Sequence, residues 1–410
     1  MKIPPGTPVT VALRWRPDEV MPVGRLAMLE RRIFFQYDAA FLTHGLSLSP
    51  FHLANAAHVL GPFDTPFDGL PGVFNDSLPD GWGRLLVDRR ARKLGIGLTP
   101  LDRLAIVGRH GIGALIYEPE TVLEEGHGDL DVDVLAADAA ATLEGDADEM
   151  LDQLIVLGGS PQGARPKAMI GWSEAEGRLV HGPRDLDPGY RHFLVKFAAQ
   201  SDPRDIGPIE FAYSQMAIAA GIRMPRTHLF RSRQGAGFFG IERFDYQDND
   251  RCHVHSLSGL LHADHRLPAL DYISVLTATQ RLTRDHREVM AMFRLMTFNI
   301  IAHNRDDHAK QFGFLMGRDG AWRASPAYDL TYSDGVNGEH TTMVDGEGRA
   351  PGDADILRVA KKMGIKKAVA VDIIDAVRSA VAQWPAFASN AGVTKASARE
   401  IGQVLNPAAR

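Results

Sequence analysis

Cysteine is nearly absent. The chain of 410 residues holds one, Cys252, which excludes an internal disulfide framework and any zinc site built from several thiolates. A reducing, cytoplasmic setting is expected. Long apolar runs are missing too: nowhere do about 18 uncharged apolar residues follow one another, and MKIPPGTPVTVALRW at the N-terminus lacks an apolar core of signal-peptide length. A soluble, unexported protein with no membrane partner is expected. Basic residues are lacking from one stretch. Residues 121–152 carry eleven acids and no Lys or Arg, so the formal charge of −6 divides into this segment and a remainder at +5. Gly and Pro, at 40 and 24, exclude collagen-like and disordered classes. At roughly 150 residues per domain, the length suits two or three domains and excludes a short peptide regulator.

Residues 8–37 alternate apolar and polar positions and predict strands of a small sheet. SLPDGWGRLLVDRRARKLG then predicts a helix, started by Ser/Pro/Asp and stopped by Gly95, carrying Arg84, Arg89, Arg90, Arg92 and Lys93. The acidic stretch reads mainly as a solvated connector, with room for a helix near Ala136–Ala141. From Leu154 a compact α/β lobe is expected: strand LIVL, a Gly-rich turn, strands KAMIGW and HFLVKF, a capped helix over 207–221, and a strand pair through Phe238–Phe244. Beyond about residue 256 strand signals thin out. Helical spacing marks a buried helix over 285–302, and further helices over 354–363, 367–384 and 395–405. The divisions drawn are 1–120, 121–152, 153–250 and 251–410.

The segment IIAHNRDDHAKQFGFL directly follows the apolar helix. Two Asp, two His, an Asn, a Lys and a Gln at such a helix end are costly to hold together unless charge must be positioned there. Downstream, SPAYDLTYS sets Asp329 after a Pro-containing approach. A divalent cation needs oxygen ligands from separate segments, and phosphoryl transfer needs a base beside the acceptor hydroxyl. Asp306, Gln311 and Asp329 offer base, first metal ligand and second metal ligand in the order kinases use. Polar capping of a helix end is the plainer alternative.

Lys196 shares the pleat phase of Leu194 and should face the lobe interior, where an ammonium needs an anionic partner. A nucleotide phosphate would serve, with Glu210 as an orienting carboxylate. A lysine reaching solvent accounts equally well for Lys196, and attraction to the helix dipole accounts better for Glu210 taken alone. GGSPQGARPK can bring N–H groups to phosphate oxygens, yet Ala164 follows Gly163 where a Walker A loop has Lys-Ser/Thr, and a hairpin turn is the commoner meaning. Cys252, His253, His255, His262 and His265 lack a recognised zinc-ligand spacing and read as strand and loop residues. The Arg-rich helix suits either nucleic-acid phosphates or solvent.

Taken in order, LPDGWGRLL, GGSPQGARPK, FLVKF, IERFD, HNRDDHAK and SPAYDLT resemble the HipA family of serine/threonine-protein kinase toxins over nearly the whole chain. The resemblance implies an α+β, two-lobed, protein-kinase-like fold related to phosphatidylinositol kinases, with an extra N-terminal β-rich subdomain and a mainly α-helical C-terminal lobe. It implies ATP and Mg2+ as cofactors and autophosphorylation on Ser160, which is associated with loop ejection. Asp306 then matches the catalytic base, Lys196 the lysine on the nucleotide phosphates, and Asp329 and Gln311 the metal ligands. Gln162, Gly163, Ala164, Arg165, Pro166 and Lys167 match the ATP phosphate loop. Glu242, Arg243 and Phe244 match the adenine hinge, with His308, Lys310 and Tyr328 also at the nucleotide.

One departure matters. The family pattern has Asn where this chain has Gln311, which moves the amide by about a bond length, whereas magnesium demands near-ideal geometry at about 2.1 Å. The resemblance implies a HipB-like helix-turn-helix antitoxin dimer as partner, operator DNA reached through that complex, and an aminoacyl-tRNA synthetase as protein substrate. Two rival functions remain at this level: a weakened kinase acting as co-repressor subunit, and a metal-dependent phosphohydrolase using His303, Asp306, Asp307 and His308.

Overall fold

The structure is a computed structural model. It describes every residue except 122–127, 146–150, 159–162, 184, 248–249, 269 and 407–410. Ser160 and Gln162 therefore lie outside the described residues.

The alternation at the N-terminus forms β1 (Val9–Arg16), β2 (Glu19–Leu29) and β3 (Arg32–Tyr37). Val9, Val11, Leu13 and Trp15 all bury the same face of β1, as the period of two requires. After α1 (Gly81–Lys93) and α2 (Pro100–Val107), β4 (Leu115–Glu118) closes an antiparallel sheet in the order β3-β2-β1-β4. This unit has its own core around Phe35, Phe41 and Phe74.

Helix α1 departs from that core. Trp82, Leu86 and Val87 pack instead with Leu135 and Ala139 of α3 (Val132–Glu144) and with α4 (Leu151–Gly158). Two expectations are corrected here. Among its described residues the acidic segment is not mainly a solvated connector, because its helix, α3, buries an apolar stripe between its acids. The apolar run LIVL lies in α4 rather than in a strand; four apolar residues in a row do not separate the two by periodicity. The basic helix is turned toward this acidic neighbour. Arg89 donates to the carbonyls of Thr142 and Gly145, and Arg90 pairs with Asp152 at 2.9 Å, so part of the opposite charge noted in the sequence is matched internally.

The next lobe is a five-stranded antiparallel sheet. Its strands are β5 (Lys167–Ser173), β6 (Arg178–His181), β7 (Arg191–Lys196), β8 (Thr227–Phe230) and β9 (Phe238–Glu242), in the order β6-β5-β7-β9-β8, with α5 (Ile206–Ala219) against it. The described ends of GGSPQGARPK are thus the close of helix α4 and the start of strand β5. β7 is the middle strand. Phe193 and Val195 enter the core shared with α1 and α4, leaving Leu194 and Lys196 on the face opposite that core.

The C-terminal lobe contains a sheet the sequence did not signal, β10 (His253–Ser256), β11 (Gly313–Met316) and β12 (Trp322–Ala324), in the order β10-β11-β12. Between the first two strands lie α6 (Tyr272–Thr283) and α7 (His286–Ile301); Asp285 caps α7 by accepting the Arg287 N–H at 2.8 Å. Val289, Met292, Phe293 and Met296 bury one stripe of α7. Helices α8 (Asp353–Lys362), α9 (Lys367–Val381), α10 (Trp384–Ala391) and α11 (Lys395–Leu405) complete the lobe. Among the described residues, no helix is long and apolar enough to cross a membrane.

Candidate active site

The cleft between the two lobes holds a cavity of 320 Å³ whose lining comes from widely separated parts of the chain. Gly163, Ala164 and Lys167 come from the loop into β5, and Leu194, Lys196 and Ile241 from the sheet. Asp306, His308, Lys310 and Gln311 come from the segment after α7, and Tyr328 and Asp329 from the segment after β12. Asp80, Gly81 and His265 complete it.

Lys196 is buried on the middle strand with two carboxylates. Its ammonium lies 2.9 Å from Glu210 Oε2 and bonds to Asp329 Oδ1. The lysine faces the cleft rather than the lobe's interior. Glu210 is more than a dipole partner for α5, since Arg165 also donates to it at 2.7 Å and holds Asp202 with two further bonds. Burial opposes charge on Asp329, but the ammonium groups of Lys196 and Lys167, together with the Gln311 amide at 2.9 Å, hold its carboxyl well below the usual range. Asp329 also sits at φ +56°, a left-handed backbone rare for a non-glycine residue and characteristic of constrained functional positions.

Asp306 is open to the cleft. Enclosure by the walls raises its carboxyl above the ordinary value; Asp329 and Asp307 add to this, against His308 and Arg165. Its neighbour Asp307 is buried and saturated: it accepts from Tyr272 Oη at 2.7 Å and from the Thr341 N–H at 2.9 Å, and lies 2.8 Å from His340 Nδ1. His303 pairs with Asp334 and stacks on Tyr332. Asp307 and His303 do not line the cavity, so the phosphohydrolase constellation is not assembled.

A second cavity of 130 Å³ adjoins the first through Leu194 and Tyr328, and is lined also by Ile112, Phe244, Val254 and Gly313. The Phe244 and Tyr328 rings stack with centroids 5.2 Å apart, while the Tyr328 hydroxyl donates to the Lys310 carbonyl at 2.6 Å. One end of the cleft is thus charged and the other flat and apolar. Of the residues that the resemblance matched to a hinge, Glu242 pairs with Arg191, and Arg243 turns inward to a bidentate pair with Asp245. Both leave Phe244 as the side chain reaching the apolar end.

Magnesium is commonly held by one or two carboxylates together with substrate phosphates rather than by an all-protein cage. Asp329 and the Gln311 amide, facing Lys196 and Lys167, fit that donor set. Among the described residues, no group of three or more His, Cys, Asp or Glu is placed to hold an ion alone. His253 and His255 serve structure, bonding Leu48 O and Asp76, and Cys252 is buried.

Two residues escaped the sequence reading. Asp80 and Gly81 were taken only as a helix start, yet they enter the cleft. His265, considered there only as a zinc ligand, lines it as well; burial, with Lys310 and His308, lowers its imidazole to about 4.

A sheet-rich lobe over a helical one, with lysine, carboxylates and an apolar slot in the cleft between, defines a kinase-type phosphotransferase. Residues 159–384 match the model of the HipA-like C-terminal domain and residues 19–118 that of the HipA N-terminal domain. The chain belongs to the HipA family, the kinase toxins of toxin–antitoxin systems. In structure it is similar to HipA in the Shewanella oneidensis MR-1 complex of HipA, HipB and operator DNA, with a TM-score of 0.69 and 15% identity over 97% of this chain and 95% of that one. The Helicobacter pylori proinflammatory kinase CtkA is more remote, with a TM-score of 0.37 and 11% identity over 52% of this chain and 85% of that one. No curated protein matches the chain in sequence.

Proposed function

We propose that the chain is an ATP- and magnesium-dependent serine/threonine protein kinase. The observation that carries this is the convergence of Lys196, Asp306, Gln311 and Asp329 on one cavity beside an apolar slot. Asp306 orients the acceptor hydroxyl and takes its proton, a task helped by a carboxyl raised above its ordinary value. Lys196, steadied by Glu210, and Lys167 face the phosphates, with the Gly163–Lys167 backbone alongside. Asp329 and Gln311 would hold the metal, which when bound would supply charge neutralisation for the transferring group. Phe244, Leu194 and Tyr328 enclose the base. Ser160 is the autophosphorylation site in this reading. The protein substrate is of the aminoacyl-tRNA synthetase class, and the partner is a HipB-like helix-turn-helix antitoxin that brings the kinase to operator DNA.

Incubation of the purified chain with labelled ATP and magnesium or manganese tests the reading. Phosphate is expected on Ser160 by intact-mass spectrometry and on an added synthetase. A second reading, a weakened kinase acting mainly as co-repressor, is favoured by one observation: Gln311 presents its NH2 to Asp329. If no protein is phosphorylated and Gln311→Asn does not restore transfer, the second reading replaces the first.

A further inference from the structure

An Asp just before a helix ordinarily caps it by accepting N–H groups of the first turn. Asp80 precedes α1 and makes no such bond. One of its carboxylate oxygens accepts the Gly163 N–H, and the other takes the Lys310 ammonium at 2.5 Å. The exchange runs both ways, since the Trp82 N–H of the first turn donates to the Gly163 carbonyl at 3.0 Å. Backbone lies directly on backbone at this point: a Cβ on Gly81 would stand 2.4 Å from Gly163 O and 2.6 Å from Ala164 Cα. Gly163 has φ +111°, and a Cβ there would meet Lys167 Nζ at 2.2 Å. Lys310 is buried; burial opposes charge on Asp80, but Lys310, the Gly163 N–H and Lys167 together hold that carboxyl below its usual range.

A local rule broken without local gain marks a place where another requirement decides. We propose that Asp80 is a positioning residue for the nucleotide: it makes the start of α1 and the phosphate loop cap each other, so that the N-terminal part of the chain sets where Gly163 stands in the cleft. This rests on the kinase reading. Coupling of this kind is reciprocal. Displacement of α1 weakens nucleotide binding, and bound nucleotide steadies α1.

The test uses the full chain, with Mg-ADP binding by calorimetry and KM and kcat for ATP in phosphate transfer. Asp80→Ala is expected to raise the ADP Kd and the ATP KM by about tenfold, the loss of the acceptor for the Gly163 N–H, with a smaller change in kcat. Asp80→Asn keeps an oxygen for the Gly163 N–H and should recover most of that affinity. Gly81→Ala crowds Gly163 without altering charge and should weaken binding in the same way, which decides the matter if Asp80→Ala fails to fold. Wild-type affinity in both folded Asp80→Ala and Gly81→Ala would overturn the proposal. So would equal loss in Asp80→Asn and Asp80→Ala, which would trace the effect to charge on Lys310. A wild-type chain that neither binds Mg-ADP nor transfers phosphate instead removes the kinase reading beneath it.

Discussion

Asp306 and Asp307 are adjacent in sequence and opposite in circumstance. The first stands in the cleft with its carboxyl raised by enclosure; the second is 0% exposed and spends both oxygens on the wall behind, where Tyr272, His340, Thr341 and Thr342 meet it. One segment therefore has a reactive face and an anchoring face. Chemistry at the first depends on rigidity at the second, because a base displaced by an ångström no longer meets its proton.

Asp306→Asn gives the largest expected effect. It should lower kcat for phosphate transfer by about 10² to 10⁴-fold with little change in Mg-ADP binding. Because the base acts ionised, the wild-type rate should fall on the acid side with a midpoint above the ordinary aspartate value of about 3.9. Retained transfer in Asp306→Asn would abolish the distinction between the two aspartates. Asp307→Ala probes the other face. Removing one member of a buried, fully bonded cluster should destabilise the fold by about 3 to 5 kcal/mol, read from urea unfolding, whereas Asp306→Asn should leave the unfolding midpoint near wild type. Equal midpoints for the two variants would break the comparison.

Lys196→Ala comes next, with an expected loss of about 10 to 100-fold in kcat/KM for ATP from a missing charged contact. Full activity in that variant would move the phosphates away from β7.

The legibility of these residues in the sequence varied with the range of the interaction that fixes them. Helix α7 was plain, because its buried stripe recurs at helical steps. Asp306 and Gln311 were legible through the density of polar groups beside an apolar helix, and Asp329 through its Pro-containing approach. Strand HFLVKF was legible as a strand, but the side of the sheet that its lysine faces was not, since Phe193 and Val195 meet a core made by α1 and α4 from far upstream. Helix α3 was legible only as room for a helix near Ala136–Ala141, and its buried face was hidden because the acids mask Leu135 and Ala139. Asp80 was hidden for a related reason: LPDGWG announces a helix start, and nothing local reveals that its carboxylate leaves that helix for Gly163 and Lys310.

The smallest predicted effect concerns Lys167, a buried lysine that lines the cleft. Burial lowers the Lys167 ammonium to about 8, with Lys196 adding to the fall and Asp329, Asp80 and Glu210 opposing it. An unfolded lysine titrates near 10.4. Between these values the unfolded chain binds more protons than the folded one, so this residue's contribution to stability rises with pH through that window and is least below about 8. Nucleotide affinity has the opposite sign, because only the charged form attracts phosphate. From pH 7 to 8.5 the ATP KM should therefore rise, by about fourfold at most for a single titrating group, while the urea midpoint does not fall on this account. Lys167→Arg keeps its charge throughout and should flatten the KM profile. A profile equally steep in the variant would assign the titration to another group in the cleft and leave Lys167 a buried structural lysine.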